Sequence, residues 1–312
     1  MRILVLGGTG FIGSHIVDGL LKEGHFVKVL GRKNKYIENN DSGLLEYVQA
    51  DFSDSLVILE ALIGIDAVIH LISSTVPSTS NSDPIADIQS NLVNSVNLFK
   101  AMRQSGVKRI MYFSSGGTVY GNPKKLPISE SHPTHPISSY GIIKLAIENY
   151  LFMYQELYGL DPIIFRLSNP YGPRQGHLGS QGVIGTFMNQ ILQGQPIKIW
   201  GDGSVIRDYI YIADVVSACL MGLKLEQGGI FNIGSGCGES LLSIINTIQE
   251  CTKSETEIIF EPSRGFDVKE VVLDISLAKE KLSWEPKYSL ESGVGLHCEW
   301  LKSLSSGTHS SN

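Results

Sequence analysis

Tyr140 and Lys144 stand four residues apart in the run Tyr140-Gly141-Ile142-Ile143-Lys144, a spacing that puts both side chains on one face of a helix. An ammonium close to a phenol favours the phenolate, so Lys144 is expected to lower the pKa of Tyr140. Tyr140 would then act as a general acid or base in an alcohol–ketone interconversion. Such a pair is common in helices and gains weight only beside a second feature. Gly7-Gly8-Thr9-Gly10-Phe11-Ile12-Gly13 follows an apolar run and opens a helical pattern. Glycines at 7, 10 and 13 allow a tight turn, close approach of the backbone to a pyrophosphate and close packing of helix on strand. The amides at the helix N-terminus suit an anion. An ordinary glycine-rich turn is the plainer reading, and the strand–loop–helix context argues against it.

The end of the second apolar run bears on the cofactor. Dinucleotide units selective for NAD usually carry an acidic side chain there, whereas this chain has Gly31-Arg32-Lys33. A guanidinium can hold a 2′-phosphate that a carboxylate would repel. The reading therefore favours NADP(H), with NAD(H) possible and a solvated basic turn as the plain alternative. Asp51 is a candidate partner for adenine, or else a turn or N-cap residue. Phe11, Ile12, Phe52 and Leu71 complete the candidate cofactor contacts.

These residues need a scaffold. Short apolar runs at Ile3–Leu6, Val27–Leu30, Leu45–Gln49, Ala67–Leu71, Arg109–Phe113 and Pro162–Arg166 alternate with helical patterns at Phe11–Lys22, Leu56–Leu62, Ile88–Gln104 and Tyr140–Leu157. Continuous apolar strands separated by helices predict an α/β fold: a doubly wound parallel sheet of Rossmann type, with ligands at the carboxyl ends of its strands. After Asn169, Gly and Pro become frequent and the elements shorten. The expected division is a dinucleotide-binding domain over 1–169, with 203–233 returning to it through a strand at Ile230–Ile233. A smaller α/β substrate lobe would comprise 170–202 and 234–302, followed by a disordered tail from Ser303 to Asn312.

Composition narrows the class. The 312 residues carry 25 Lys and Arg against 31 Asp and Glu, a net charge of −6, with 42% apolar and 18% charged residues. That balance suits a compact globular chain. The mild acidity offers nothing to nucleic acid or anionic lipid, so neither is expected as a partner. The Cys residues at 219, 237, 251 and 298 lack zinc-ligand or Cys-x-x-Cys spacing; reduced thiols in a cytoplasmic protein, with no metal, are expected. The opening run Met1–Leu6 is too short for a signal-peptide core, and no stretch reaches the roughly 18 apolar residues of a membrane span.

Taken with Ser114-Ser115-Gly116-Gly117-Thr118-Val119-Tyr120-Gly121, Arg166-Leu167-Ser168-Asn169-Pro170-Tyr171-Gly172-Pro173, Gly201–Tyr209 and Ser283-Trp284-Glu285-Pro286, the chain resembles the extended short-chain dehydrogenase/reductases, in their nucleotide-sugar epimerase/dehydratase branch, to about Trp300. The resemblance implies hydride exchange between a nicotinamide and a sugar carbon, usually C4. It also implies a nucleotide-diphosphate sugar as substrate, and a homodimer built through two long helices, here 88–104 and 140–157. By the same resemblance Asn169 touches the substrate diphosphate and Arg207 clamps it, as a guanidinium fork can. Arg264 adds a second basic contact, and Asn91 lies near the cofactor or serves as a structural hydrogen-bonding residue.

Two departures matter. The branch usually has a catalytic Ser or Thr four residues before the Tyr of Val-Tyr-Gly; here that position is Gly116, which leaves Ser115 first and Thr118 second as candidates for the hydroxyl. Gly117-Thr118 also replaces the Asp-Glu of the branch's dehydratases, which sets dehydration aside. The expectation is thus NADPH-dependent reduction of a 4-keto nucleotide sugar, in surface-polysaccharide precursor synthesis by analogy with the family. The near-equal alternative is an NAD-dependent 4-epimerase, and a non-catalytic dinucleotide sensor is the remote one.

Overall fold

The computed structural model describes residues 1–33, 43–75, 79–175, 182–263 and 268–307. The described elements through β6 run β1 (Arg2–Leu6), α1 (Phe11–Lys22), β2 (Phe26–Gly31), β3 (Leu45–Gln49), α2 (Ser55–Ala61), β4 (Ala67–His70), α3 (Pro84–Asp87), α4 (Asn94–Ser105), β5 (Arg109–Ser115), α5 (Ser139–Tyr158) and β6 (Asp161–Leu167). A π-helical turn at Ile88–Val93 joins α3 to α4, so the single helix expected from Ile88 starts a turn earlier and is widened at Asn91. Beyond it come β7 (Asn169–Tyr171), α6 (Val183–Leu192), β8 (Ile197–Trp200), β9 (Ile206–Tyr211), α7 (Ile212–Leu223), β10 (Gly229–Ile233), β11 (Gly238–Ser240), α8 (Leu241–Thr252), β12 (Ile258–Glu261), β13 (Glu270–Val271), α9 (Ser276–Leu282) and α10 (Leu290–Gly307).

Seven strands form one parallel sheet in the order β10-β6-β5-β4-β1-β2-β3. The order reverses between β1 and β4, the switch point at which doubly wound sheets open a ligand crevice. Alternation along β1 shows why the strands are apolar throughout. Ile3 and Val5 pack into a core with Ile16, Val17 and Leu20 of α1 and Val215 and Ala218 of α7. Leu4 and Leu6 face the opposite core, with Ile58 of α2, Phe99 and Met102 of α4, and Ile147 and Leu151 of α5. Both faces are covered, as a parallel sheet requires.

A second, smaller sheet is centred on β9, which pairs antiparallel with β11 and parallel with β13 and β7; β8 and β12 form a separate parallel pair. The chain does return to the large sheet, where β10 pairs with β6 from Gly229↔Ile163 to Ile233↔Leu167. The return starts later than residue 203, because β9 belongs to the small sheet. Its first element is α7, whose Val216 and Leu220 pack over Gly19 of α1. The tail also differs from expectation: α10 continues through Gly307, so residues 303–307 are helical, while 308–312 lie outside the described residues. Short β7, β11 and β13 escape sequence patterning because three residues or fewer carry no periodicity.

Candidate active site

The parallel sheet brings the carboxyl ends of β1, β2, β4 and β5 to one edge, and with them Gly7, Arg32, Leu71 and Ser115. At the end of β1, Gly7 has φ +85°, and its carbonyl accepts from the Gly10 amide at 3.0 Å. A Cβ on Gly13 would overlap that carbonyl, so the loop can close on the helix only if residue 13 is glycine. Gly10 caps α1 without a side chain, and the first turn holds no acidic residue. Phe11 and Ile12 thus begin a helix whose N-terminal amides face the sheet edge. Bare backbone at a positive dipole end fits a dinucleotide pyrophosphate.

Arg32 is exposed at the end of β2. Gly31 before it has no room to change, since a Cβ there would lie 2.7 Å from Thr9 Oγ1. Asp51 accepts from the amide and hydroxyl of Ser53 at 2.9 and 2.6 Å. Those two bonds, with a smaller contribution from the Arg32 charge, hold its carboxyl below the usual range. Asp51 therefore makes a turn, while Asp54 is the N-cap of α2. Phe52 is buried against the His70 ring, and half-buried Leu71 follows β4, bonded through its amide to Leu6.

Tyr140 and Lys144 sit in the first turns of α5. Ser138 caps that helix by accepting from the Gly141 amide, while Asn81 and Ser80 take the amides of Ser139 and Tyr140. With its N-terminal donors satisfied, α5 starts at a fixed residue and presents Tyr140 at the sheet edge. Lys144 is 5% exposed. Its Nζ donates to the Phe113 carbonyl at 2.8 Å and lies 5.5 Å from the centre of the Tyr140 ring. Burial lowers its pKa to about 8, against the pull of Glu148 and Asp87.

The expected depression of the Tyr140 pKa is not found. Burial pushes the phenol up to about 12; a Ser73 hydrogen bond opposes this and the Asp87 charge adds to it. Desolvation of the phenolate outweighs any help from an ammonium that is committed to a carbonyl.

The two candidate hydroxyls differ. Ser115 is half-buried at the end of β5. Thr118 Oγ1 is buried and has no hydrogen-bond partner among the described residues. Gly116 between them is fixed by packing, because a Cβ there would stand 2.6 Å from Leu273 Cδ1 and 3.0 Å from the Arg166 carbonyl. A serine at 116 would have to displace Leu273.

Across the crevice, Asn169 donates to the Asp208 carbonyl at 2.8 Å, next to Arg207 on β9, whose Nη1 donates to the Ile206 carbonyl. Asn169 and Arg207 are thus brought together on neighbouring strands. Arg264 lies outside the described residues. Asn91 is 5% exposed and tied into protein: its Oδ1 accepts from the Ser74 amide at 2.8 Å, and its Nδ2 donates to Asp87 Oδ1 at 2.8 Å.

Several residues beside the candidate site escaped the sequence reading. Asp87 is buried beside Tyr140 and Lys144, with which it lines a small cavity. Glu148 lies one turn beyond Lys144 and is paired with Arg166 at 2.7 Å and with the Ser114 hydroxyl. Arg166 also donates to Tyr120, which donates to Asn232. The signal for Glu148 was present, since residues 140, 144 and 148 share one helix face.

The profile of the NAD dependent epimerase/dehydratase family matches residues 3–234. The chain belongs to that family. It is 38% identical over 312 residues to the UDP-glucose 4-epimerase of Mycolicibacterium smegmatis, covering 98% of this chain and 100% of the relative. It is also 34% identical to the dTDP-4-dehydro-6-deoxyglucose reductase of Escherichia coli, over 94% of this chain and 95% of that one. Among solved structures, the UDP-glucose 4-epimerase of Thermotoga maritima with UDP-glucose superposes with a TM-score of 0.92 at 36% identity, covering 97% of this chain and 99% of that chain. The protein is therefore an enzyme of nucleotide-sugar chemistry that uses a nicotinamide dinucleotide. Among the described residues no helix is long and apolar enough to cross a membrane, and no His, Cys, Asp and Glu cluster could hold a metal. The four cysteines are free.

Proposed function

We propose that this enzyme is a UDP-sugar 4-epimerase that retains NAD through turnover. The observation that carries the reading is the meeting of Tyr140 and Lys144 with the bare α1 N-terminus at one sheet edge, in a chain matched over nearly its full length by UDP-glucose 4-epimerases. The reductase favoured by the sequence reading becomes the second choice.

When bound, the nicotinamide supplies a hydride acceptor that is also the donor for the return step. Tyr140 takes the proton of the C4 hydroxyl as hydride leaves C4 and gives it back after the keto sugar has turned over. Lys144, fixed on the Phe113 carbonyl, stabilises the phenolate. Arg207 and Asn169 hold the diphosphate while the sugar rotates, so much of the rate comes from positioning. Thr118, whose hydroxyl is buried without a described partner, or Ser115 holds the C4 oxygen. Gly31 and Arg32 leave no carboxylate at the end of β2, and this favours the second reading, an NADPH-dependent 4-keto reductase like the E. coli relative.

Releasing the nucleotide from purified protein decides between them. One equivalent of NAD per chain, with interconversion of UDP-glucose and UDP-galactose, is expected. An empty protein that oxidises NADPH only with a 4-keto nucleotide sugar would make it a reductase.

We also propose that two copies pair through α5 and the helix that runs from the π-helical turn into α4, where Val93 of that turn and Ile142, Met153 and Leu157 of α5 are exposed, Leu157 by 62%. Light scattering that gives the mass of a single chain would remove this proposal.

A further inference from the structure

Two carboxylates flank Lys144. Glu148, one turn along α5, is met by the Arg166 guanidinium through both its oxygens. Asp87, on α3, is fully buried, yet the donors that meet it are neutral. Thr75 Oγ1 donates to its Oδ1 at 2.7 Å and Asn91 Nδ2 to the same oxygen at 2.8 Å, while Ser139 Oγ donates to Oδ2 at 2.7 Å. Those donors come from the loop after β4, from the π-helical turn and from the first residue of α5. Asp87 therefore ties together the three segments that wall the cavity beside Tyr140 and Lys144.

We propose that Asp87 is a positioning residue of this site, holding the first turn of the Tyr140 helix against the 73–75 loop and keeping Lys144 charged through space. The proposal rests on Tyr140 and Lys144 being the reacting pair. A buried carboxylate met by neutral donors acts strongly on nearby groups, because among the described residues no cation is bonded to it to offset its field. Glu148 acts on Lys144 in the same direction and more strongly than Asp87, although its charge is shared with Arg166. Asp87 raises the pKa of both Lys144 and Tyr140. Among the described residues, the other titratable groups facing the pair are His70 and Tyr112. Burial drives the His70 pKa down to about 3, with a smaller push from Lys144, so His70 is neutral at working pH. Burial pushes Tyr112 upward, so it too stays neutral. The charge that Lys144 feels from this side of the cavity is thus that of Asp87.

Asp87→Asn keeps the shape and can keep all three bonds, since its amide nitrogen can donate to the Ser139 oxygen while its carbonyl accepts from Thr75 and Asn91. It removes only the charge. Lysine labelled with ¹³C at Cε, with the Lys144 signal assigned through Lys144→Met, reports the ammonium directly and needs no turnover. The Lys144 midpoint is expected to fall by about one pH unit in Asp87→Asn and to stay in place in Ser139→Ala, which loses a bond but no charge. In kinetics, the alkaline limb of kcat/KM should move down with the Asp87→Asn midpoint. An unmoved midpoint in folded Asp87→Asn would overturn the proposal. Asp87→Ser, read in the same way, covers the case in which Asp87→Asn does not fold. Failure of both to fold, judged by circular dichroism, would also overturn it, by making Asp87 a stability residue. A midpoint that moves in a protein without epimerase or reductase turnover would sustain the electrostatic role while removing the proposed function.

Discussion

The two walls of the crevice are built differently. On the large-sheet side lie a glycine loop, a helix end capped by glycine alone and the first turns of α5, the last pinned by Ser80 and Asn81 from the segment before α3. On the small-lobe side lie side chains on short strands whose partners lie far along the chain. Asp208 shows this. Its buried carboxylate accepts from the amides of Ser235, Gly236 and Leu273 and from the Ser235 hydroxyl, so one side chain joins the end of the large sheet to the small one beneath Arg207. The lesson is a division of labour. On the proposed function the large-sheet wall carries the chemistry and the small-lobe wall the grip on substrate, so damage to each should appear in a different kinetic constant.

The sharpest test of that division is Tyr140→Phe, which leaves the fold and the small lobe untouched. It should lower kcat by about 10²–10⁴-fold, the usual worth of a positioned acid–base group, with KM near the parent value. Turnover at the parent rate would remove Tyr140 from the chemistry and end the comparison.

Arg207→Met addresses the other wall. Losing a charge-assisted contact to a diphosphate should raise KM by roughly 10–100-fold, with a smaller fall in kcat. A fall confined to kcat would show that the lobe takes part in the chemistry rather than only the grip.

The smallest effect is a pH dependence belonging to the large-sheet wall alone. Burial places the Lys144 pKa at about 8 in the folded protein, against 10.5 ordinarily. Between those values the unfolded chain binds a proton that the folded chain does not, so the Lys144 contribution to stability rises with pH across this window; below it the full cost of burying the ammonium is present. Activity should move the other way, falling above about pH 8 as the ammonium is lost. Lys144→Met should flatten its share of the stability rise, and a parent enzyme whose activity held to pH 10 would show that the ammonium is dispensable.

Much of the large-sheet wall was legible in the sequence. The strand at Leu45–Gln49 and the helix at Phe11–Lys22 have the bounds expected from patterning, because apolar period and glycine punctuation act locally. Asn169 beside Arg207 was suggested by family motifs alone, and nothing in local spacing implied that β7 and β9 would pair.

The sequence by itself determined the doubly wound sheet, the glycine loop at the end of β1 and the alignment of Tyr140 with Lys144, since each follows from residue types a few positions apart. Only the tertiary structure decided how those groups are charged. Asp87 is separated from Lys144 by two elements and a strand, yet it lines the same cavity. Burial, which no window of sequence reports, raised the phenol that spacing alone would lower. A pKa is set by every charge and every missing water within several ångströms, and the folded chain alone chooses those neighbours.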